Sequence, residues 1–281
     1  MIAEVFSPFF RSFALKPPAA AGKGCLKMNP MRYLSVAPEV ERAIACGKPV
    51  TAFPSAPLAG GGAAALAAAG RTVRDAGGVP AVIAVLGGKL RIGADPGELD
   101  ALEKRQAQPA GRASLPILLA SSADAPAAVS SALLAAAMAG IPVLAVPLLG
   151  EPGQPGAETA EVPADLHALA HTPVAVVCAG FSHLFDPGRC LAYLASCGVP
   201  LIGLGGGDFP ALPDAARPLH LCASAPPEAA RVMASKWDLG LPGGLLALLP
   251  SASQVPPADS LSLCAGRAVQ LAAAYAALRR R

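Results

Sequence analysis

The chain has 281 residues, of which 53% are hydrophobic and 15% are charged. A chain of this length and composition can bury one sizeable core, which predicts a globular protein rather than a disordered one. The formal net charge of +3 is spread along the chain and gives nucleic-acid binding little support. No apolar run reaches the roughly 18 residues that cross a bilayer, so we expect no membrane segment.

The seven cysteines are scattered and odd in number, and no two of them are spaced as C-x-x-C. This pattern indicates neither a zinc site nor a disulfide framework. We therefore expect a cytoplasmic protein with reduced thiols, in which Cys178 is a small buried hydrophobic residue.

Residues 1–33 differ from the rest of the chain, because they mix phenylalanines and basic residues with a patch of proline, alanine and glycine. No long apolar stretch precedes a small-residue cleavage site, which argues against a secretory signal. We expect a poorly ordered extension, and both a transit-like peptide and a true start at Met28 or Met31 stay open. The domain proper is predicted over residues 34–281.

From Leu34 onwards, short apolar runs alternate with longer helical patterns. A helix is predicted to begin near 35–38, where Pro38 occupies an early position, and to end before Gly47. Further helices are predicted over 63–76, 95–102, 130–139, 164–170, 189–196 and 261–278. Strands are predicted over 48–53, 81–86, 90–92, 141–146, 174–178 and 200–204. This alternation predicts an α/β fold with three α/β/α layers around a mostly parallel central sheet.

The stretch 174–178 is predicted to be the central strand, because it has no polar alternation and therefore suits burial on both faces. Ala179 and Gly180 allow a sharp turn at its carboxyl end, where ligands collect in open α/β sheets. Phe181, Ser182 and His183 follow that turn. We therefore expect a functional site at this edge of the sheet.

Two glycine tracts, at 60–62 and 205–207, lack the G-x-G-x-x-G spacing of a dinucleotide loop. The second is followed by Phe209 and Pro210 rather than by a helix, which predicts a turn lining a cleft. The first precedes a helix and could seat an anion at its N-terminus. A plain turn is the simpler interpretation, because no Lys, Ser or Thr lies beside the tract.

Five segments make the chain recognisable: 34–53, 77–93, 171–180, 197–211 and 235–247. They read LSVAPEVERAIACGKPVTAF, GGVPAVIAVLGGKLRIG, HTPVAVVCAG, CGVPLIGLGGGDFPA and SKWDLGLPGGLLA. In this order they resemble the pseudouridine-5'-phosphate glycosidase family. The resemblance implies an α/β/α domain, usually a homotrimer, that reversibly cleaves pseudouridine 5'-phosphate into ribose 5-phosphate and uracil with a divalent metal such as manganese. Within the last segment, Lys236–Asp238 is expected to reflect the packing of the tryptophan rather than catalysis.

The reaction of that family breaks a carbon–carbon glycosidic bond, which offers no leaving oxygen for an acid to protonate. In the family a lysine attacks the anomeric carbon and opens the sugar toward an imine, which accepts the electrons. A glutamate handles the protons, and an aspartate holds the metal.

The resemblance places other residues at most of the catalytic positions. Ser182 stands where the family has the nucleophilic lysine, Pro54 replaces the glutamate, and Pro109 replaces a second lysine. Lys104 or Arg105 could substitute for that second lysine if a gap shifts the alignment. The family's catalytic residues are therefore not intact, and cleavage is predicted to be impaired or altered.

Other positions keep a polar residue or the family's residue type. By the same resemblance, Ser55, Val129 and Asp165 fall at substrate-binding positions. His183, beside Ser182, is a further substrate-binding candidate and could serve as a base. A single histidine on a loop is, however, more often solvated than catalytic.

Glu161 takes the place of the family's metal-binding aspartate and is one methylene longer. It lies four residues before Asp165, and the two carboxylates could share a manganese ion if the segment is helical. Pro163 lies between them, and an octahedral ion needs further oxygen ligands. A helix start with a solvated Asp165 is the alternative interpretation.

Three functions stay open at this point. The first is a family member whose activity is lost or altered and whose cleft binds a pentose phosphate or a nucleotide-like small molecule. The second is a working glycosidase that has recruited Lys104, Glu161 and a metal. The third is a structural role, for instance as a subunit of mixed trimers.

Overall fold

The computed structural model describes residues 29–56, 62–150, 163–182, 185–205, 221–223, 225–249 and 257–280. Its strands are β1 Leu34–Val36, β2 Val50–Pro54, β3 Val79–Leu86, β4 Lys89–Ile92, β5 Ala125–Pro126, β6 Val143–Ala145, β7 Ala175–Cys178, β8 Leu201–Leu204, β9 Leu221–Ala223 and β10 Leu245–Leu248. Its α-helices are α1 Pro38–Ala45, α2 Gly62–Asp75, α3 Pro96–Arg105, α4 Leu115–Ala120, α5 Val129–Met138, α6 Ala164–His171, α7 Pro187–Ser196, α8 Pro226–Asp238 and α9 Pro257–Arg279. A short 3-10 helix, Pro30–Tyr33, precedes β1.

The described strands form one sheet in the order β1-β4-β3-β2-β6-β7-β10-β8-β9, with β5 paired to β3. Neighbours run parallel except in the hairpin of β3 with β4 and in the β5 pair. Strand β7 lies in the interior between β6 and β10, and all four of its residues are buried. The prediction of a central buried strand at this place is confirmed.

Alternate residues of β7 face two separate apolar layers. Val176 and Cys178 belong to the apolar layer that includes α1, α4, α5, α6 and α7, whereas Ala175 and Val177 belong to the layer that includes α2, α3, α8 and α9. A strand covered on both faces has no need of polar alternation, which explains its continuous apolar run. The predicted three-layer α/β/α architecture is confirmed.

The helix predicted to begin near 35–38 begins at the last of these residues, and the residues just before it form a strand instead. Leu34–Val36 form β1, which pairs with β4, and α1 begins at Pro38. Ala37 is extended (φ −65°, ψ 141°), because the ring of a following proline disfavours the helical region. The other predicted helices and strands are confirmed to within a few residues at their ends, and the structure adds α4, α8, β5, β9 and β10.

Residues 1–28 lie outside the described ranges, so the N-terminal extension stays a prediction. Within those ranges one helix, α9, is long and apolar enough by length and composition to cross a membrane, with mean hydropathy 1.3 over Asp259–Arg279. It packs instead against α2, α8 and the central strands. Its apolar side, from Leu261 to Tyr275, is buried in the layer it shares with them. This is how a core helix of a layered α/β domain behaves.

The segment Lys236–Asp238 has a packing role, as expected. The indole N–H of Trp237 donates to the Gly243 carbonyl at 3.1 Å, and its ring meets the Tyr275 ring edge-on, with centroids 5.3 Å apart. The buried Lys236 ammonium donates to the Gly198 carbonyl at 2.7 Å. That carbonyl follows the C-terminus of α7, where a cation is favourable. The segment therefore joins helices on opposite faces of the sheet.

Thr51 gives a first testable prediction about stability. Its hydroxyl is fully buried in β2 and is one of two buried side-chain groups in the described ranges with no hydrogen-bond partner. Valine has nearly the same shape and lacks the hydroxyl, so Thr51→Val should stabilise the fold by about 1 kcal/mol. Urea unfolding should show a higher midpoint at unchanged slope.

Ser131→Ala is the matched control, because that buried hydroxyl donates to the Ala110 carbonyl at 2.6 Å. It should lower the midpoint. A Thr51→Val protein that is less stable than the wild type would show that the Thr51 hydroxyl is satisfied in solution.

Candidate functional site

The candidate site lies at the carboxyl edge, the edge of the sheet at which β2, β6 and β7 end. Pairing in register places Pro54, the last residue of β2, level with Cys178, the last residue of β7, across the intervening β6. Two inter-strand spacings separate them by roughly 10 Å. The positions that correspond to the family's glutamate and lysine therefore come to one edge of the sheet.

Ser55 is an anchor at this edge and is fully buried. Its backbone N–H continues the pairing of β2 by donating to the Ile83 carbonyl at 3.1 Å. Its hydroxyl accepts the Ala127 N–H at 2.8 Å. Ser55 thus fixes the end of β2 to the segment that leads into α5.

The N-terminus of α5 is capped from another helix. Its N-cap residue, Ala128, is extended (φ −70°, ψ 167°) and has no side chain that can accept a hydrogen bond. The Ser130 N–H instead donates to Oδ1 of Asp165, a 7% exposed residue in the first turn of α6, at 3.1 Å. The Asp165 carboxylate therefore lies at the positive ends of two helix dipoles, which stabilise its charge.

Pro109 and Val129 lie beside the same helix terminus. Ala110, the neighbour of Pro109, forms a parallel bridge with Ala127 and accepts the Ala128 N–H at 3.1 Å. Val129 is the first residue of α5 and is 8% exposed. The structure thus brings together the segments that carry four of the predicted positions: Ser55, Pro109, Val129 and Asp165.

Ser182 follows β7 and is 5% exposed. Its N–H donates to the Leu149 carbonyl at 2.8 Å, next to a parallel bridge between Leu149 and Phe181. The Phe185 ring covers the other side of this turn, since a Cβ on Gly150 would lie 2.9 Å from it. The backbone at the lysine-equivalent position is therefore held firmly by the continued pairing of β6 with β7.

The groups near this edge are mostly inert. Burial raises the pKa of the Cys178 thiol to about 12, so it stays protonated at neutral pH. Arg105 forms an ion pair with Asp124, which also accepts the Gly87 N–H of the β3–β4 hairpin. Lys104 is exposed on α3. The described contacts do not place either of these cations beside Ser182.

Two predicted residues, Glu161 and His183, lie outside the described ranges. Within those ranges no group of three or more His, Cys, Asp or Glu side chains is arranged to hold a metal ion. Asp165, the described carboxylate nearest Glu161 in sequence, accepts a backbone hydrogen bond. The assignment of Glu161 to manganese stays a prediction.

The sequence reasoning missed Ser130 and Ser131 in the first turn of α5. The Ser131 hydroxyl donates to the Ala110 carbonyl, and the Ser130 hydroxyl accepts the Arg112 N–H at 3.3 Å. Two consecutive serines just after Val129, at the start of the predicted helix, were an available signal, because such residues favour helix starts. These two hydrogen bonds hold the segment 109–112 against the N-terminus of α5.

Ser55 gives a second prediction. In Ser55→Ala the buried Ala127 N–H loses its partner, which should destabilise the fold by about 2 kcal/mol. Chemical denaturation measures this directly. Ser196→Ala serves as the control, because its exposed hydroxyl donates to the Tyr193 carbonyl on the surface, and it should change stability little. Equal effects of the two substitutions would contradict an anchoring role for Ser55.

A mostly parallel sheet covered on both faces, with buried anchors at its carboxyl edge, defines an α/β/α domain of the kind whose small-molecule sites lie at that edge. A family model described as indigoidine synthase A like protein matches residues 39–276. The chain belongs to this family.

The chain is similar to several curated proteins named pseudouridine-5'-phosphate glycosidase. It is 35% identical to the one from Hahella chejuensis over 78% of this chain and 75% of that protein. It is 38% identical to the one from Deinococcus radiodurans over 80% and 75%, and 34% identical to the one from Escherichia coli over 82% and 76%. These identities support the family resemblance found from the sequence.

Two solved structures share the fold. The prealnumycin C-glycosynthase AlnA in complex with ribulose 5-phosphate matches with a TM-score of 0.73 at 22% identity, covering 89% of this chain and 99% of that one. An indigoidine synthase A like protein from Thermotoga maritima matches with a TM-score of 0.67 at 21% identity, covering 84% and 94%. At these identities the likeness concerns the fold.

Proposed function

We propose that this chain is a pseudouridine-5'-phosphate glycosidase-like protein that binds a pentose phosphate at the carboxyl edge but does not cleave the family's substrate. One observation carries the proposal. The segments that build the edge are anchored by buried hydrogen bonds that Ser55 and Asp165 accept, while Pro54, Pro109 and Ser182 occupy the family's catalytic positions.

The chemistry explains why these replacements matter. Cleavage of a carbon–carbon glycosidic bond needs an electron sink, and the family makes one by converting a lysine amine and the sugar's anomeric carbon into an imine. The Ser182 hydroxyl cannot form an imine. Pro54 has no group that donates or accepts a proton in place of the glutamate. The scaffold is therefore kept without the groups that act on the bond.

A pentose phosphate is the ligand class that the comparisons favour. The curated relatives carry a pseudouridine-5'-phosphate activity in their names, and a protein of the same fold is described in complex with ribulose 5-phosphate. The proposal includes a soluble homotrimer as the assembly and the cytoplasm as the location. Manganese at Glu161 belongs to it as well, although the described residues include no group of three or more His, Cys, Asp or Glu side chains that could hold the ion.

Thermal unfolding with ribose 5-phosphate tests the binding. A ligand that binds the native state alone stabilises it by about 2.7 kcal/mol at one hundred times its Kd, so the melting temperature should rise with ribose 5-phosphate concentration. Ribose and inorganic phosphate are the controls for the two halves of the ligand. An unchanged melting temperature at millimolar ribose 5-phosphate would refute the binding proposal.

The same assay tests the metal. We expect manganese to raise the melting temperature weakly or not at all, since an octahedral ion needs several oxygen ligands and the described ranges hold no group of three or more His, Cys, Asp or Glu side chains. Glu161→Gln should abolish any rise that occurs. A rise that survives Glu161→Gln would place the ion elsewhere on the chain.

A further inference from the structure

The solvent side of α6 carries two histidines one helical turn apart. His167 and His171 are both exposed, and their ring centroids lie 4.4 Å apart at an interplanar angle of 40°. The opposite side of the helix is buried through Leu166, Leu169 and Ala170. Helix α6 therefore packs on the domain through its apolar side, and the two histidines lie on the other side.

Both rings make their hydrogen bonds through Nδ1. His171 Nδ1 lies 2.8 Å from the His167 carbonyl oxygen, and because a carbonyl only accepts, Nδ1 carries the hydrogen. The lone pair of the neutral ring is then on Nε2. His167 Nδ1 lies 3.2 Å from the Tyr193 hydroxyl of α7. A tyrosine hydroxyl can donate or accept, and the tautomer in which Nδ1 donates to it places the lone pair of His167 on Nε2 as well.

This is the outer shell that metal-binding histidines usually have. In such a ring the nitrogen that does not bind the metal typically donates its N–H to a carbonyl, a carboxylate or a water, which fixes the tautomer and orients the ring. Two histidines at i and i+4 on one helix are also a recurring way to present two imidazoles to one ion. The His171 ring has a carbonyl partner and the His167 ring a hydroxyl partner, and both residues lie outside the candidate sugar-phosphate site.

We infer that His167 and His171 form a chelating site for a late first-row transition metal ion, of the class of Ni²⁺, Cu²⁺ and Zn²⁺. Imidazole suits these ions, whereas Mn²⁺ prefers oxygen ligands. The site is therefore chemically distinct from a manganese site at Glu161. The described ranges contain no third side-chain ligand in reach, so water completes the coordination and binding is reversible.

Calorimetric titration of the untagged full chain with Ni²⁺ tests this inference. The double variant His167→Asn/His171→Asn should weaken binding by about tenfold or more, and each single variant should also weaken it, since chelation needs both rings. The matched control is His183→Asn/His220→Asn, which removes the same number of imidazoles from the chain's four. It should bind Ni²⁺ like the wild type.

Tyr193→Phe separates orientation from ligation. It keeps both imidazoles and removes the partner of His167 Nδ1, so it should weaken Ni²⁺ binding by up to about tenfold. Wild-type affinity in either single histidine variant, loss of binding in the control pair, or a thiolate-to-nickel charge-transfer band would each overturn the assignment.

Discussion

The wild-type protein, incubated at high concentration with pseudouridine 5'-phosphate, should release no detectable uracil. The expected effect is very large. A positioned acid or base alone contributes about 10²- to 10⁴-fold in rate, and Pro54 removes that group. Ser182 additionally removes the amine that forms the electron sink, without which the carbon–carbon bond has no low-energy route to cleavage.

Restoring one group should not restore turnover. Catalytic residues that act as a unit are strongly non-additive, so Ser182→Lys alone should stay inactive while Pro54 is present. The double variant Ser182→Lys/Pro54→Glu carries both groups on an edge whose backbone is fixed by the Ser182–Leu149 and Ser55–Ala127 hydrogen bonds. Any recovery of uracil release should appear in this double variant first.

Exposed Ser196→Lys is the control for the added charge and should be inactive in every background. Uracil release by the unmodified chain would contradict the proposed loss of activity. It would favour a recruited amine instead, and Lys104 would be the first residue to replace.

Gly244→Ala should destabilise the fold by about 3 kcal/mol or more. A Cβ at Gly244 would lie 2.0 Å from the Val174 carbonyl oxygen and 2.6 Å from a Leu169 methyl. The backbone cannot move aside easily, because the Gly244 N–H donates to the Leu169 carbonyl at 2.8 Å. The following strand, β10, pairs with the central strand β7.

Gly70→Ala is the control, because it should change the free energy of unfolding in the opposite direction. Gly70 lies inside α2, and a Cβ there would meet the Pro80 side chain at an ordinary 3.8 Å. Alanine is the better helix former, so this change should stabilise the fold by about 0.5–1 kcal/mol. Urea unfolding of both variants measures the difference. A Gly244→Ala protein as stable as the wild type would contradict the close approach of the two backbones.

The fold could largely be predicted from local sequence, because a strand that is buried on both faces has a continuous run of apolar residues. The run 174–178 is apolar throughout, and it forms the interior strand β7. β1 was harder to predict, since three residues before a helix give little local signal. Its pairing with β4 joins segments more than fifty residues apart in sequence.

The candidate site was less predictable, because its anchors act between distant segments. The resemblance identified Ser55 and Asp165 as positions of interest. The sequence did not show that Ser55 accepts the Ala127 N–H from 72 residues away, or that Asp165 accepts the Ser130 N–H from 35 residues away. Such contacts depend on how the helices pack around the sheet, which no local pattern records.

Borohydride reduction in the presence of ribose 5-phosphate, read by intact-protein mass and peptide mapping, tests the central claim most directly. Only an imine between the sugar and an amine leaves a reduced adduct. With serine at the nucleophile position, the wild type should show no site-selective adduct, even at ribose 5-phosphate concentrations that raise its melting temperature. A stoichiometric adduct confined to one lysine would show that the chain retains an imine-forming residue, and it would contradict the proposed loss of cleavage.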